Sequence, residues 1–256
     1  MNNLDLYYRM LLSSGYIAWL RLSSQFTRTL LGTAWIGLSL IITISILGCI
    51  YGTLTGVTDW KSYWIYAALG ILCWNAVATC ISNSCSLLER SRDRLLNQNV
   101  PITLFIIEEW FYNSFSFLIG FIMIFIILVL LKPFLLFVFF NGGWLGLVNI
   151  LLGCLIFSLI MSPLAVLLPD ICQLTPIFLQ ISFLASPILF YRQSLGNLYW
   201  VSNLNPLYLW IRISREPFIG NLNINQQICF FLTQIGFIYL LLFLVNKFQM
   251  MLLRRL

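Results

Sequence analysis

Six apolar stretches without a single Asp, Glu, Lys or Arg dominate this chain and restrict what it can become. They lie at approximately 30–53, 63–85, 110–131, 144–168, 172–190 and 227–246. A helix needs roughly 20 apolar residues to cross the hydrocarbon core of a bilayer, and it satisfies its own backbone hydrogen bonds there. With 61% apolar and 9% charged residues, the chain departs strongly from soluble domains. The sequence therefore predicts an all-α integral membrane protein, a single transmembrane domain over 1–256 with six transmembrane helices.

The first 28 residues differ from the six predicted spans. Wound as a helix, they gather apolar and aromatic side chains on one side and polar ones on the other. The apolar side consists of Leu4, Tyr7, Tyr8, Leu11, Leu12 and Trp19. Segment 1–28 is therefore predicted to be an amphipathic helix in the membrane interface, and a soluble helix packed on a partner is the alternative. The first long apolar run starts near Leu30 with no small-residue cleavage site after it, so we expect no cleaved signal peptide.

The distribution of Lys and Arg predicts the orientation in the membrane. An even number of spans puts both termini on one side, and that side carries nine Lys and Arg against five on the other. The nine are Arg9, Arg21, Arg28, Arg90, Arg92, Arg94, Lys247, Arg254 and Arg255; the five are Lys61, Lys132, Arg192, Arg212 and Arg215. Because cytoplasmic loops are enriched in Lys and Arg, both termini are predicted to be cytoplasmic.

The segment 191–226 has apolar runs that are too short to span a bilayer. Pro206 and Pro217 interrupt it, and Trp200 and Trp210 belong to the aromatic types enriched at membrane interfaces. We expect short outer helices between spans five and six, which either lie in the interface or re-enter the membrane. Re-entry requires that protein or water covers the backbone. A plain amphipathic loop is the alternative.

Groups for catalysis, metal binding or ion coupling are scarce. The chain has no His, and its seven Cys lie in or beside apolar runs without a C-x-x-C pair, which argues against a metal site or a disulfide framework. No predicted span contains the ionisable residue that marks an ion path, and Glu108, Glu109 and Asp170 are interpreted as interfacial or helix-start carboxylates. No nucleotide-binding or hydrolase motif is present. We therefore expect no cofactor, and energy for any transport must come from another subunit.

Five charged residues are clustered between the second and third spans. They are Glu89, Arg90, Arg92, Asp93 and Arg94. A helix over 87–100, called the handle below, would form ion pairs at i,i+3 between Glu89 and Arg92 and between Arg90 and Asp93. The orientation derived above places this handle in the cytoplasm.

Apolar residues give the handle a second face. Leu88, Ser91 and Leu95 would form a narrow stripe along it, and Pro101 ends the segment. A short amphipathic helix joined to two spans can act as a lever for a soluble partner, so we interpret the handle as a docking surface. The alternative is a positively charged loop that only sets the topology.

Five segments, in this order along the chain, resemble motifs of one family. They are RTLLGTAWIGLSLIIT (28–43), LGILCWNAVATCISNSCSLL (69–88), NQNVPITLF (97–105), LLPDICQLTPIFLQISFLASPILF (167–190) and NPLYLWIRISREPFIG (205–220). The family is the membrane subunit of bacterial polysaccharide exporters of the ATP-binding-cassette type, which move O-antigen, capsule or teichoic-acid chains. Two features depart from it: Pro169 stands where an Arg often precedes Asp170, and Arg21 and Arg28 only partly match the usual Asp-Leu-Lys-x-Arg-Tyr.

The resemblance implies a transport subunit without enzymatic activity in the bacterial inner membrane. It implies a homodimer, in which the handle of each copy is seated in a separate cytoplasmic ATPase that binds the ATP; no nucleic acid is involved. The ATPase-coupling residues would then be Glu89, Arg90, Arg92, Asp93 and Arg94. Spans one and five of both copies would line a channel for a lipid-linked polysaccharide within the membrane lipids, and the short outer helices would form its mouth.

Aromatic side chains are the residues that we expect along such a channel. Their rings stack on sugar faces and their polar tips tolerate water, and aromatic residues make up 16% of the chain. The channel-lining candidates are Trp35, Tyr51, Phe178, Phe183 and Phe190. The alternative is that these rings face lipid or other helices, as most aromatic residues in spans do.

Two other functions stay open on the sequence. One is a membrane-embedded enzyme or scaffold acting on lipid-linked sugars, and the other is an exporter of the same type that carries lipids or drugs. Turnover of a lipid-linked substrate by the isolated chain would favour the enzyme, whereas a stable complex with an ATPase would favour an exporter.

Overall fold

The computed structural model describes residues 3–97, 100–191, 205–220 and 223–255, and all regular structure in these ranges is helical. In chain order the helices are α1 (Asn3–Gln25), α2 (Ala34–Leu54), α3 (Trp60–Cys85), α4 (Leu87–Arg90), α5 (Arg92–Asn97), α6 (Ile102–Leu131), α7 (Phe134–Val138), α8 (Trp144–Leu167), α9 (Asp170–Ala185), α10 (Pro206–Ile219) and α11 (Ile224–Arg255). A π-helical turn, Phe139–Gly143, joins α7 to α8. The predicted all-α class is confirmed for these ranges.

In the described ranges, five units are long and apolar enough to cross a membrane: α2, α3, α6, α11 and the bent unit Phe134–Leu167. This architecture is consistent with the predicted multi-pass membrane protein. Six spans are not confirmed, because the helix in the predicted span 172–190 is α9, whose 16 residues are fewer than the roughly 20 that a crossing needs. Pro187 explains the early end, since it forces the preceding Ser186 into an extended conformation with ψ 137°.

Two boundaries near the handle also differ from the prediction. Helix α6 begins at Ile102, directly after Pro101, and therefore includes Glu108 and Glu109, which the prediction placed before the span. The handle is not one helix over 87–100: α4 and α5 are separate short helices that meet at Ser91, and residues 98–99 lie outside the described ranges.

Helix α3 is the centre of the bundle, and α11 lies at its edge. In the most apolar window of each helix, 72% of the α3 residues but only 11% of the α11 residues are buried. Amide side chains attach α11 to α8: Asn149 donates to the Gln227 side chain over 2.7 Å, and Gln234 donates to the Asn149 carbonyl over 3.1 Å. Such bonds hold helices together where the hydrophobic effect gives no force between them.

Helix α10 accounts for the described part of the predicted outer segment 191–226; residues 192–204 and 221–222 lie outside the described ranges. It is inserted between α3 and α8, and it does not lie across their ends. Its Trp210 ring rests on Gly153, in the middle of α8, where an added Cβ would lie 2.3 Å from the indole. The contact with Gly153 therefore lets α10 reach the depth of the middle of the bundle.

The predicted interfacial helix over 1–28 is present as α1, and it packs along the first half of α6. Among residues 9–25, whose side chains the structure describes, α1 buries Ser14, Ala18 and Leu22. Leu12 and Trp19, from the predicted apolar side, are exposed, although the Trp19 ring also touches Phe115 of α6. The position of α1 in the interface stays a prediction.

Candidate functional site

Five charged side chains from four helices meet at one end of the bundle. Arg21 of α1 donates to Glu108 over 3.1 Å and to Glu109 over 2.8 Å. Arg90 of α4 donates to the same oxygen of Glu109 over 3.0 Å, and Arg94 of α5 holds both oxygens of Glu108 at 3.3 and 3.1 Å. These contacts tie the handle to α1 and to the start of α6. The five residues are called the ion cluster below.

Burial makes the ion cluster different from a surface ion pair. The Glu109 side chain is 0% exposed and one of its oxygens, Oε1, has no hydrogen-bond partner, whereas the Arg21 side chain is 31% exposed. Burial opposes the charge on Arg21, but Glu109 and Glu108 outweigh it and raise the pKa of the guanidinium. Removing one member of a buried ion pair leaves the other charge uncompensated, which is strongly destabilising.

Aromatic rings cover two of the guanidinium groups. Arg21 lies 4.6 Å from the centre of the Tyr112 ring, and Arg94 lies 5.1 Å from the centre of Phe105. The faces of these rings attract the cations and fix their orientation. Both rings belong to α6, so the same helix supplies the carboxylates and the surfaces on which the arginines rest.

The predicted pairing within the handle is wrong. None of the ion pairs found in the described residues joins Glu89 to Arg92 or Arg90 to Asp93. The handle is divided at Ser91, and Arg90 is directed at Glu109, so the i,i+3 geometry of one helix is lost. The helix-start interpretation of Glu108 and Glu109 is wrong, because α6 begins at Ile102 and both carboxylates lie beyond its first turn; their place in the membrane interface stays a prediction. Asp170 does begin a helix, α9, as predicted.

The apolar stripe of the handle is buried against the bundle and is not available to a partner. Leu88 and Leu95 are buried together with Ser91, and they join a cluster that includes Ile106 of α6 and Val245 of α11. The handle is thus fixed to the bundle by leucine side chains as well as by ion pairs. A displacement of the handle must therefore move the ends of these spans.

Three of the five predicted coupling residues face outward. Glu89, Arg92 and Asp93 are exposed, and they form no ion pair within the described ranges. Glu89 and Arg92 also line a cleft of about 390 Å³, and Arg255 at the end of α11 lies on its other side. This end of the molecule offers charges of both signs to a partner.

A groove of about 650 Å³ opens between α2, α3 and α9. Aromatic rings and small polar groups line it together: Phe26, Trp35, Trp74, Phe183, Ser39, Thr43 and Asn75. Trp74 and Phe183 are in contact, with ring centroids 5.4 Å apart. Such a surface combines stacking with hydrogen bonding and suits a ligand that is both polar and able to stack.

The structure separates the predicted channel-lining residues into two sets. Trp35 and Phe183 lie in the groove, as expected for the two helices that were predicted to form it. Tyr51 packs against the core further along α2, and Phe178 is exposed on the outer side of α9. Phe190 lies after the end of α9, where its carbonyl accepts a hydrogen bond. These last three do not line the groove.

Sequence reasoning missed several residues of these sites. Arg215 was assigned to an outer loop, although it is buried against α3. Trp74 and Asn75 lie within the quoted motif 69–88, yet they were not named as lining residues. The signal that could have found the ion cluster is the pair Glu108 and Glu109 in an apolar sequence, because buried carboxylates need cations. In the described ranges, no group of three His, Cys, Asp or Glu could hold a metal ion.

No protein-family model matches the chain, and no curated protein is similar enough to count as a relative.

Proposed function

We propose that this chain is the membrane subunit of an exporter that moves a polysaccharide across the bacterial inner membrane, driven by a separate ATP-binding-cassette ATPase. The ion cluster is the observation that supports this proposal most directly. It joins a short charged segment, whose free side chains point outward, to a transmembrane helix through buried ion pairs. A surface loop that only set topology would not need buried carboxylates to hold it.

The handle divides its charges between two tasks in this proposal. Glu89, Arg92 and Asp93 contact the ATPase from the cytoplasm. Arg90 and Arg94 transmit the resulting force to Glu109 and Glu108, and through them to α6 and α1. The buried leucines of the handle also transmit part of this force to the bundle.

The groove between α2, α3 and α9 is the proposed path of the substrate. Its rings can stack on sugar faces, while Asn75 and the hydroxyls of Ser39 and Thr43 can bond sugar hydroxyls. The apolar residues Ile177 and Ile181 of α9 are exposed beside it. In a homodimer, the grooves of two copies would face each other and enclose a wider path, which a lipid-linked chain would join from the inner leaflet.

Two matched variants of the handle test the proposed coupling. The tagged chain is purified from its native membranes, the ATPase that accompanies it is identified, and ATP hydrolysis is measured in proteoliposomes. Replacing Arg92 and Asp93 by Ala is expected to lower the yield of the complex at least tenfold without changing the melting temperature of the chain. The Arg90→Ala variant is expected to retain the ATPase but to lose most of the substrate-stimulated hydrolysis.

The opposite results would overturn the proposal. If both variants retain a normally stimulated ATPase, the handle does not couple. If the chain purifies alone and converts a lipid-linked sugar by itself, it is an enzyme. A deletion strain that keeps its surface polysaccharide but accumulates a lipid or a drug would assign an exporter of another substrate.

A further inference from the structure

A buried arginine lies in the part of the bundle opposite the handle. Arg215 of α10 is 3% exposed, and its guanidinium lies 3.6 Å from the centre of the Tyr66 ring of α3. No carboxylate of the described residues lies within ion-pairing distance of it. Its Nε has no hydrogen-bond partner in the described structure. An ionisable group at this depth is costly and indicates function.

The partners of Arg215 are backbone carbonyls of a non-helical stretch. After α9 ends, the carbonyls of four consecutive residues, Pro187 to Phe190, all accept hydrogen bonds from side chains. Arg215 donates to Ile188 over 3.4 Å and to Pro187 over 3.3 Å. Irregular backbone inside a membrane is tolerated only where its polar groups are satisfied in this way.

Two tyrosines complete the set of donors. The single hydroxyl proton of Tyr66 is shared between the carbonyls of Pro187, 2.7 Å away, and Phe190, 3.0 Å away, and the hydroxyl of Tyr63 donates to Leu189 over 2.9 Å. Gly70 lets the stretch approach, because a Cβ there would lie 2.9 Å from both Arg215 and the Ile188 carbonyl. Three side chains from α3 and α10 therefore hold the carbonyls of this stretch, which is called the clamped stretch (186–190) below, and Asn205 donates to the Ser186 hydroxyl over 2.7 Å.

The clamped stretch lies beyond the groove on the side away from the handle. Along α3, the groove residues Ile71 to Asn75 lie between the end of the helix at the handle and the segment from Tyr63 to Gly70, which holds the stretch. Phe183, which lines the groove, lies three residues before the start of the stretch. A chain moving along the groove away from the handle would meet the clamped stretch.

We propose that Arg215 is the positioning residue of a closure, which holds the clamped stretch across the far end of the groove. The hydrogen bonds that Arg215 donates can break readily, because both are long and both go to neutral carbonyls. The clamped stretch can therefore move away from Arg215. When the stretch moves away, water or the hydroxyls of a sugar chain can bind the guanidinium. This new hydrogen bonding offsets part of the free energy that the burial of Arg215 costs. That the clamped stretch closes a path for substrate rests on the proposed function. That Arg215 holds the stretch in place does not depend on the proposed function.

Labelling of a cysteine introduced at Phe190 tests the closure in the full chain. In a background in which Cys49 and Cys229 are replaced by Ser, F190C is reconstituted in vesicles and treated with a membrane-impermeant maleimide. Tyr66→Phe keeps the ring under Arg215 but removes both hydroxyl bonds, and Arg215→Lys keeps the charge but removes the planar fork. Each is expected to raise the labelling rate about five- to tenfold, the effect of losing one or two hydrogen bonds.

Two controls separate positioning from unfolding. Arg212→Ala, on the same helix, removes a partly exposed ion pair with Glu216 that does not contact the clamped stretch, and it is expected to leave the rate unchanged. I150C reports on the core, because Ile150 is fully buried, and it is expected to stay unlabelled in every variant. An unchanged F190C rate in both the Tyr66 and the Arg215 variants would overturn the proposal, as would an equal rise at I150C. Because no ATPase is present, a chain that passes this test but fails to couple would refute only the proposed function.

Discussion

Single charges in this protein follow a simple physical rule. Each carboxylate of the ion cluster is buried and receives at least two hydrogen bonds from arginines, whereas Asp93 and Glu89 are exposed and can rely on water. Arg21 is the member on which both carboxylates depend, since it contacts each of them. The loss of Arg21 should therefore remove an ion-pair partner from both Glu108 and Glu109.

Arg21→Ala is predicted to lower the free energy of unfolding by about 2–3 kcal/mol. This is less than the roughly 3–5 kcal/mol for breaking a fully buried pair, because Arg90 and Arg94 remain and water reaches part of the site. Thermal unfolding of the purified chain in detergent measures the change. Arg28→Ala is the control, since Arg28 is exposed on the turn after the same helix; equal midpoints for the two variants would contradict the assignment.

At the scale of helices, contacts between glycine and tryptophan set the distances. A Cβ on Gly48 would lie 2.5 Å from the Trp64 ring, and one on Gly52 would lie 2.6 Å from Trp60, so α2 and α3 approach closely at that end. Small residues that let helices approach are characteristic of membrane bundles. Gly153 performs the same task for α10 at Trp210, and Gly146 does so at the Ser214 carbonyl, 2.6 Å from an added Cβ.

Gly153→Ala is predicted to displace the Trp210 ring and to destabilise the docking of α10. Overfilling a packed core costs about 1–3 kcal/mol, so we expect a lower melting temperature and faster proteolysis after α9. Gly236→Ala is the matched control in a helix, because nothing lies within 4 Å of its added Cβ. If both variants have the same melting temperature as the parent protein, the contact at Gly153 does not position α10.

The helices that could be predicted are those whose burial is uniform along their length. Long apolar runs predicted both ends of α2, α3 and α8 within four residues, whereas α11 continues nine residues beyond the predicted end at 246. The end of α9 before Pro187 was not predicted, because the residues around Pro187 are as apolar as a span. A non-helical backbone is tolerated there only because Tyr66 and Arg215, which are distant in sequence, bind its carbonyls. A short helix was expected where α10 lies, but its depth could not be predicted, because its burial depends on contacts with Gly146 and Gly153 of α8 and not on its own composition.

The candidate sites were predictable to a different degree. The handle was found because charge is rare in this chain, and its stripe of Leu88 and Leu95 has a helical spacing. Which of its charges point inward could not be predicted, since that depends on Glu108 and Glu109 in another helix. Trp35 and Phe183 were found from their residue type alone; the polar side of the groove requires the crossing of α2 and α3.

For the whole molecule, the two ends of the bundle differ in chemistry. The ion cluster, the handle and the end of α11 lie at one end, while Asp59, which caps α3, and Lys61 lie at the other. The distribution of Lys and Arg predicts that the end with the handle is cytoplasmic. Orientation is thus a property that can be tested independently of function.

Cysteines introduced at Asp93 and Lys61 are predicted to react from opposite sides of the membrane. Both residues are exposed, so an impermeant maleimide should label D93C in inside-out vesicles and K61C in intact cells or spheroplasts. Replacing Cys49 and Cys229 by Ser removes the exposed native thiols. The reverse pattern would invert the topology and remove the handle from any cytoplasmic partner.

The link between Arg21 and the third span has a consequence for biosynthesis. Arg21 is translated 87 residues before Glu108, so α1 leaves the ribosome before its carboxylate partners exist. We therefore predict that α1 reaches its final place only after α6 has been made. Nascent chains arrested before Glu108 should leave α1 open to protease, and chains arrested after α6 should protect it.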